Sequence, residues 1–279
     1  VAIVLALLGA LVYGVADFSG GLATKREPAL AVVFCGQLAG VVVLGALLVA
    51  VPGRFDPASV AWGAAAGLSG GAALLAFYRS LATGAMTVVA PLTAVTAAIV
   101  PVVGGLAFGE RPSVLAIVGV VLAVSAVVLV SAEHGRLPTL RSLRGPSVAG
   151  ALLAGAGFGL LFVLLSRAAP GSGFWPLAGA RAASLTLLAA VAVVGRRSLI
   201  PRAAPAGLVV ASGVGDMMAN LLFVLASRIG LLSIVGVLLA LYPAATVLLA
   251  MLVLRERLHL VQVAGLALAA AGVVLIAVG

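Results

Sequence analysis

Long stretches of Val, Leu, Ala and Gly, each broken by a short polar or proline-containing connector, run along the whole chain. Most exceed the roughly 18 to 20 residues that a helix needs to cross a bilayer. The breaks predict ten helices, over about 1–22, 29–50, 58–82, 86–109 and 112–131, then 147–169, 174–194, 205–228, 231–254 and 258–278. The connector between the two groups of five, 132–146, is the most polar in the chain and contains Glu133, His134, Arg136, Arg141 and Arg144. The expected organisation is therefore a first repeat over 1–131, a connector, and a second repeat over 147–279.

The two groups echo each other. Gly84 falls on Gly230, an offset of 146 (230 minus 84), and the same offset takes Phe77 to Phe223, Glu110 and Arg111 to Glu256 and Arg257, and Gly119 to Gly265. A repeat with an odd number of spans enters the membrane from the opposite face in its second copy, so the expected fold is all-α, ten transmembrane helices as two inverted five-helix repeats.

Composition agrees with the pattern. Hydrophobic residues make up 64% of the chain and charged ones 8%, as in an integral, multi-pass protein of the cell membrane. A transmembrane barrel needs alternating segments of about 10 residues, which are absent. The net charge of +9 is scattered singly or in small clusters between apolar runs, as loop anchors are, so nucleic acid is not an expected partner. The first run carries Asp17 and is followed, not preceded, by Lys25 and Arg26, and reads as a membrane helix rather than a leader. Cys35 sits inside an apolar run and reads as an inert thiol. Small residues at spacing four (Gly36 and Gly40; Gly63, Gly67 and Gly71; Gly155 and Gly159) suit close helix packing in lipid. The stretch 155–160 follows no strand and is not read as a phosphate loop.

Prolines are expected to interrupt two spans: Pro91 and Pro101 the fourth, Pro243 the ninth. The segment 242–272 then presents Pro243, a long apolar run, Glu256 with Arg257, Gln262, Gly265 and Gly272. That order resembles the ninth and tenth helices of EamA-type members of the drug/metabolite transporter superfamily. The first half matches through Gly109, Glu110, Arg111 and Gly119, with Ala97 where the proline is expected. Arg181 resembles an arginine the family often carries in its seventh helix, against Gln37 in the first half. The resemblance implies carriage of small polar or amphipathic metabolites, often outward, through a cavity surrounded by the first, third, fourth, sixth, eighth and ninth helices.

Ionisable groups inside the spans are the sharpest functional signal, because each costs about 2.5 to 3.5 kcal/mol at the bilayer centre. Asp17, Arg181 and Asp216 qualify. Tyr13 and Asp17 share a helix face, as do Asp216, Asn220 and Phe223. Asp17 and Asp216 are the candidates for holding a substrate ammonium or coupling to protons; Arg181 is expected to pair with one of them or bind a substrate carboxylate. Tyr13, Tyr78, Phe158, Phe162, Phe223 and Tyr242 stand on the helices that the resemblance places around the cavity. They offer faces for stacking and cation–π contact, and Thr93 and Thr96 offer hydroxyls.

The Glu-Arg pairs are expected to set loop geometry, outside the site. His134 and His259 lack ligand partners at metal spacing, so no metal or other cofactor is expected. The polar residues are too dispersed for the rival reading, an integral-membrane enzyme acting on a lipid-linked substrate. The expected function is that of a secondary transporter of small organic metabolites, amino acids or related amphipathic solutes, acting as an exporter by alternating access, with the bilayer and the solute as its partners. Orientation gives two answers. The positive-inside rule puts the termini outside, because most basic residues lie in the connectors of the other face, while the resemblance implies cytoplasmic termini.

Overall fold

The structure is a computed structural model that describes residues 1–83, 86–130, 146–201, 205–254 and 259–279. Of the residues singled out in the sequence, Gly84, Glu133, His134, Arg136, Arg141, Arg144, Glu256, Arg257 and the side chains of Tyr78 and Pro91 lie outside this description. The described residues form helices α1 (Ala2–Thr24), α2 (Ala29–Ala50), α3 (Pro57–Thr83), α4 (Met86–Ala107), α5 (Val114–Val130), α6 (Pro146–Ser166), α7 (Trp175–Val194), α8 (Ala206–Ser227), α9 (Leu232–Leu239), α10 (Tyr242–Leu254) and α11 (Leu260–Val278). Eight runs are long and apolar enough to cross a membrane, with 232–253 counted as one; 92–107 and 114–130 are shorter apolar helices.

Prolines act unequally. The ninth span breaks at Ala240 and Leu241, just before Pro243, into α9 and α10, because Pro243 has no N–H to bond back to Leu239. The fourth span does not break: α4 runs helical through both positions 91 and 101. Pro101 is fully buried against Gly236 of α9, where an added Cβ would come within 2.4 Å of the proline ring.

The broadest contacts all join the halves. α1 packs on α8 as α6 packs on α3, α2 packs on α8 as α7 packs on α3, and α1 meets α9 and α10 as α6 meets α4. Three pairs match themselves: α2 with α7, α4 with α9, and α5 with α11. Shifting every helix by half the chain carries each of these cross-half pairs onto another of them or onto itself, so this part of the contact pattern has two-fold character. Small residues permit the approach. A Cβ on Gly213 of α8 would stand 1.7 Å from the Gly36 carbonyl of α2, and one on Gly67 of α3 would stand 2.0 Å from the Ala180 carbonyl of α7. Gly119 and Gly272 make a similar crossing between α5 and α11. In lipid, where apolar side chains gain nothing by avoiding solvent, this backbone proximity supplies dispersion contact.

The loops beside the two termini meet in one layer. Arg54 N–H donates to the Gly171 carbonyl at 3.0 Å, Arg228 Nη2 to the Gly173 carbonyl at 2.5 Å, and Trp175 Nε1 to the Gly53 carbonyl at 3.4 Å. The Arg167 guanidinium lies 4.6 Å above the Phe108 ring. Gly173, at φ +57°, holds its turn against Gly53, where a Cβ would come within 2.7 Å. This layer is called the terminal face below.

Candidate functional site

Exposure along α1 separates an outer from an inner face. Val4, Leu8, Leu11 and Val15 form an exposed apolar stripe at helical spacing, the surface that lipid covers. Asp17 is also exposed but stands two residues, about 200° of rotation, past Val15. It points inward, on the same face as Tyr13 and Gly21, and a Cβ on Gly21 would find nothing within 4 Å. The space above Asp17 is open toward the end of α1 that lies away from the terminal face.

Across that space α7 and α8 contribute an ion pair. Arg181, 8% exposed, donates through Nη2 to Asp216 Oδ2, whose side chain is 37% exposed. Asn220, one turn on, donates to the backbone carbonyl of Asp216 at 2.8 Å and is nearly buried, so its amide braces α8. Asp17 interacts electrostatically with Asp216 and Tyr242, and Tyr13 with Asp17, Asp216, Arg181 and Tyr242. Five of the polar residues expected from the sequence are thus brought to one place from α1, α7, α8 and α10.

Beneath them, toward the terminal face, lies a layer of rings. Tyr13 meets Tyr242 at 6.0 Å and Phe162 edge-on at 6.4 Å between centroids; Phe162 meets Phe223 at 4.6 Å. Phe223 is fully buried, whereas Tyr13, Phe162 and Tyr242 are half-buried. Rings at these separations attract through dispersion and their quadrupoles. The result is a polar cavity with an aromatic layer on the side of the terminal face.

Three expected site residues fall elsewhere. Phe158 pairs with Phe77 on α3 at 6.3 Å. Thr93 donates to the Ala151 carbonyl across the α4–α6 contact at 3.1 Å, and Thr96 bonds back to the Leu92 carbonyl at 2.8 Å. Their hydroxyls are spent on packing beside Gly155. His134 lies outside the described residues, and among those described no group of three or more His, Cys, Asp and Glu converges.

Sequence reasoning sets Glu110 outside the site as a loop residue and counts Arg79 among the connector charges. Glu110 lies at the terminal face, where its carboxylate receives backbone N–H groups of α9. Arg79 stands inside α3 near its end, exposed and engaged in interactions of its own. Its closeness to a span boundary makes it read as a connector charge.

The sequence pattern of the EamA-like transporter family matches residues 1–132 and 145–278. The chain belongs to the EamA-like transporter family. It is an integral, multi-pass membrane protein of the drug/metabolite transporter superfamily. Among solved structures, one crystal structure aligns with a TM-score of 0.81 over 99% of this chain and 98% of that one, at 18% identity, which shows a shared fold alone. No curated protein matches the sequence. For an EamA-like chain, the match in two segments agrees with the repeat read from Gly84 and Gly230.

Proposed function

We propose that this EamA-like protein is a secondary carrier of small organic solutes, amino acids or related amphipathic metabolites, that works by alternating access and exports its substrate. Ten spans in two inverted repeats, 1–131 and 147–279, would let the cavity open to either face by exchange of the two halves' conformations. The reciprocal packing of α1 on α8 and α6 on α3 supports that reading. The observation that carries it is the cavity itself, with Asp17, Arg181 and Asp216 lying over the rings of Tyr13, Phe162, Phe223 and Tyr242, where elements of both repeats meet.

In this reading Asp17 and Asp216 are the proton-coupling candidates. The charged and titratable groups near these acids are Tyr13 on α1, Arg181 on α7 and Tyr242 on α10. The test is counterflow in proteoliposomes with labelled amino acids and related metabolites, with and without a proton gradient. A gradient is expected to accelerate transport in the wild type and to lose its effect in the Asp17→Asn, Asp216→Asn double variant. Transport in that variant that is unchanged and equally pH dependent would remove proton coupling at these acids. Absence of counterflow for every solute would remove the carrier reading itself.

A further inference from the structure

The charges of the cavity divide unevenly. Arg181 commits its guanidinium to Asp216, and the pair is close to neutral as a unit. Asp17 has no hydrogen bond or ion pair among the described residues, although it faces the interior and bears solvent-accessible surface. Two carboxyl groups share one guanidinium, and Asp17 is the one left without a cation of its own. Directly below are the half-buried ring faces of Tyr13, Phe162 and Tyr242.

Resting on the carrier reading, and narrowing its solutes from amino acids to related amines, we propose that the cavity selects organic monocations. An ammonium would sit against the Asp17 carboxylate, and the apolar or aromatic body attached to it would lie on the ring layer. Cations over aromatic faces gain quadrupole attraction in addition to the charge pair, and more so when water is excluded. The same arrangement rejects the corresponding zwitterion. A substrate carboxylate would find Arg181 already taken by Asp216 and would approach two acids of its own sign. The site thereby distinguishes an amine from the amino acid of equal shape, and it does so through the unpaired acid of the first repeat. At the equivalent position of the second repeat, 146 residues on, stands Val163, so the cation would bind off the two-fold.

Binding by calorimetry to the purified full-length chain in detergent near neutral pH tests this with three probes of one shape: phenethylamine, phenylalanine and 2-phenylethanol. Phenethylamine is expected to bind roughly tenfold or more tightly than either of the others. Asp17→Asn should reduce that affinity by at least about tenfold, and Asp17→Glu should restore most of it. The neutral alcohol makes the comparison within the wild type, so it holds even if a variant fails to fold. Phenylalanine or the alcohol binding as well as the amine, an unaffected Asp17→Asn variant, or no binding of the amine would each overturn the assignment. Counterflow separates this from the carrier reading: a transported zwitterion without amine binding sinks the cation site and leaves the carrier standing.

Discussion

Glu110 of the first repeat receives the backbone N–H of Ser233 in the second, at 2.9 Å to Oε2, while its Oε1 receives that of Leu232 at 2.5 Å. The first N–H groups of a helix have no intrahelical partner, and the helix dipole concentrates positive potential there. A carboxylate from the other half therefore starts α9. Glu110→Ala is expected to lower stability by about 1–2 kcal/mol, with Glu110→Gln intermediate, in thermal unfolding of the purified protein. Wild-type melting of the Ala variant would show that the bond is incidental.

The Arg181–Asp216 pair lies in the interior, and losing one partner strands the other. Asp216→Leu, which strands the buried Arg181, is expected to destabilise by about 3–5 kcal/mol, and Arg181→Met, which leaves the part-exposed Asp216 within reach of solvent, by less. The double variant should recover much of that loss, because a buried pair is nearly interchangeable with apolar side chains while a lone buried charge is not. Additive losses in denaturant or thermal unfolding would mean that the two residues act separately.

Acid sensitivity is expected at the start of α3. Asp56 accepts from both the N–H of Ser59, at 3.0 Å, and its hydroxyl, and these bonds hold the carboxyl below its usual range. A carboxylate with a depressed pKa stabilises the fold above its unfolded pKa, and that contribution disappears as pH falls through the folded value. Melting temperature should therefore drop on the acid side of the ordinary carboxylate range, and Asp56→Asn should flatten that limb. An Asn variant with the same acid limb would assign the effect to other groups.

Much of this fold is written in periodicity. Apolar runs and the offset from Gly84 to Gly230 suffice for helices and repeat, since both depend on local spacing. Asp17, Arg181 and Asp216 were legible as site candidates because a charge inside an apolar run is costly unless it has a partner or a task. What each one touches was not legible. The choice of Asp216 over Asp17 as the partner of Arg181 depends on how α7 meets α8, a contact between helices that periodicity does not specify. Thr93 and Thr96 misled for a related reason: a hydroxyl reads alike whether it faces a cavity or a neighbouring carbonyl, and here Ala151 and Leu92 supply the carbonyls. Pro101 carried the same signature as Pro243, but burial against Gly236 keeps α4 whole while the ninth span divides.

The neighbours of α5 bear on how the protein is made. Its broadest partner is α11, and α3 likewise rests on α6 and α7. A nascent first repeat leaving the ribosome therefore lacks the broadest mates of its packing faces until later helices are synthesised. Lipid, or the insertion machinery, must shelter those glycine-lined surfaces in the meantime, and α1, whose broadest partner is α8, waits the longest.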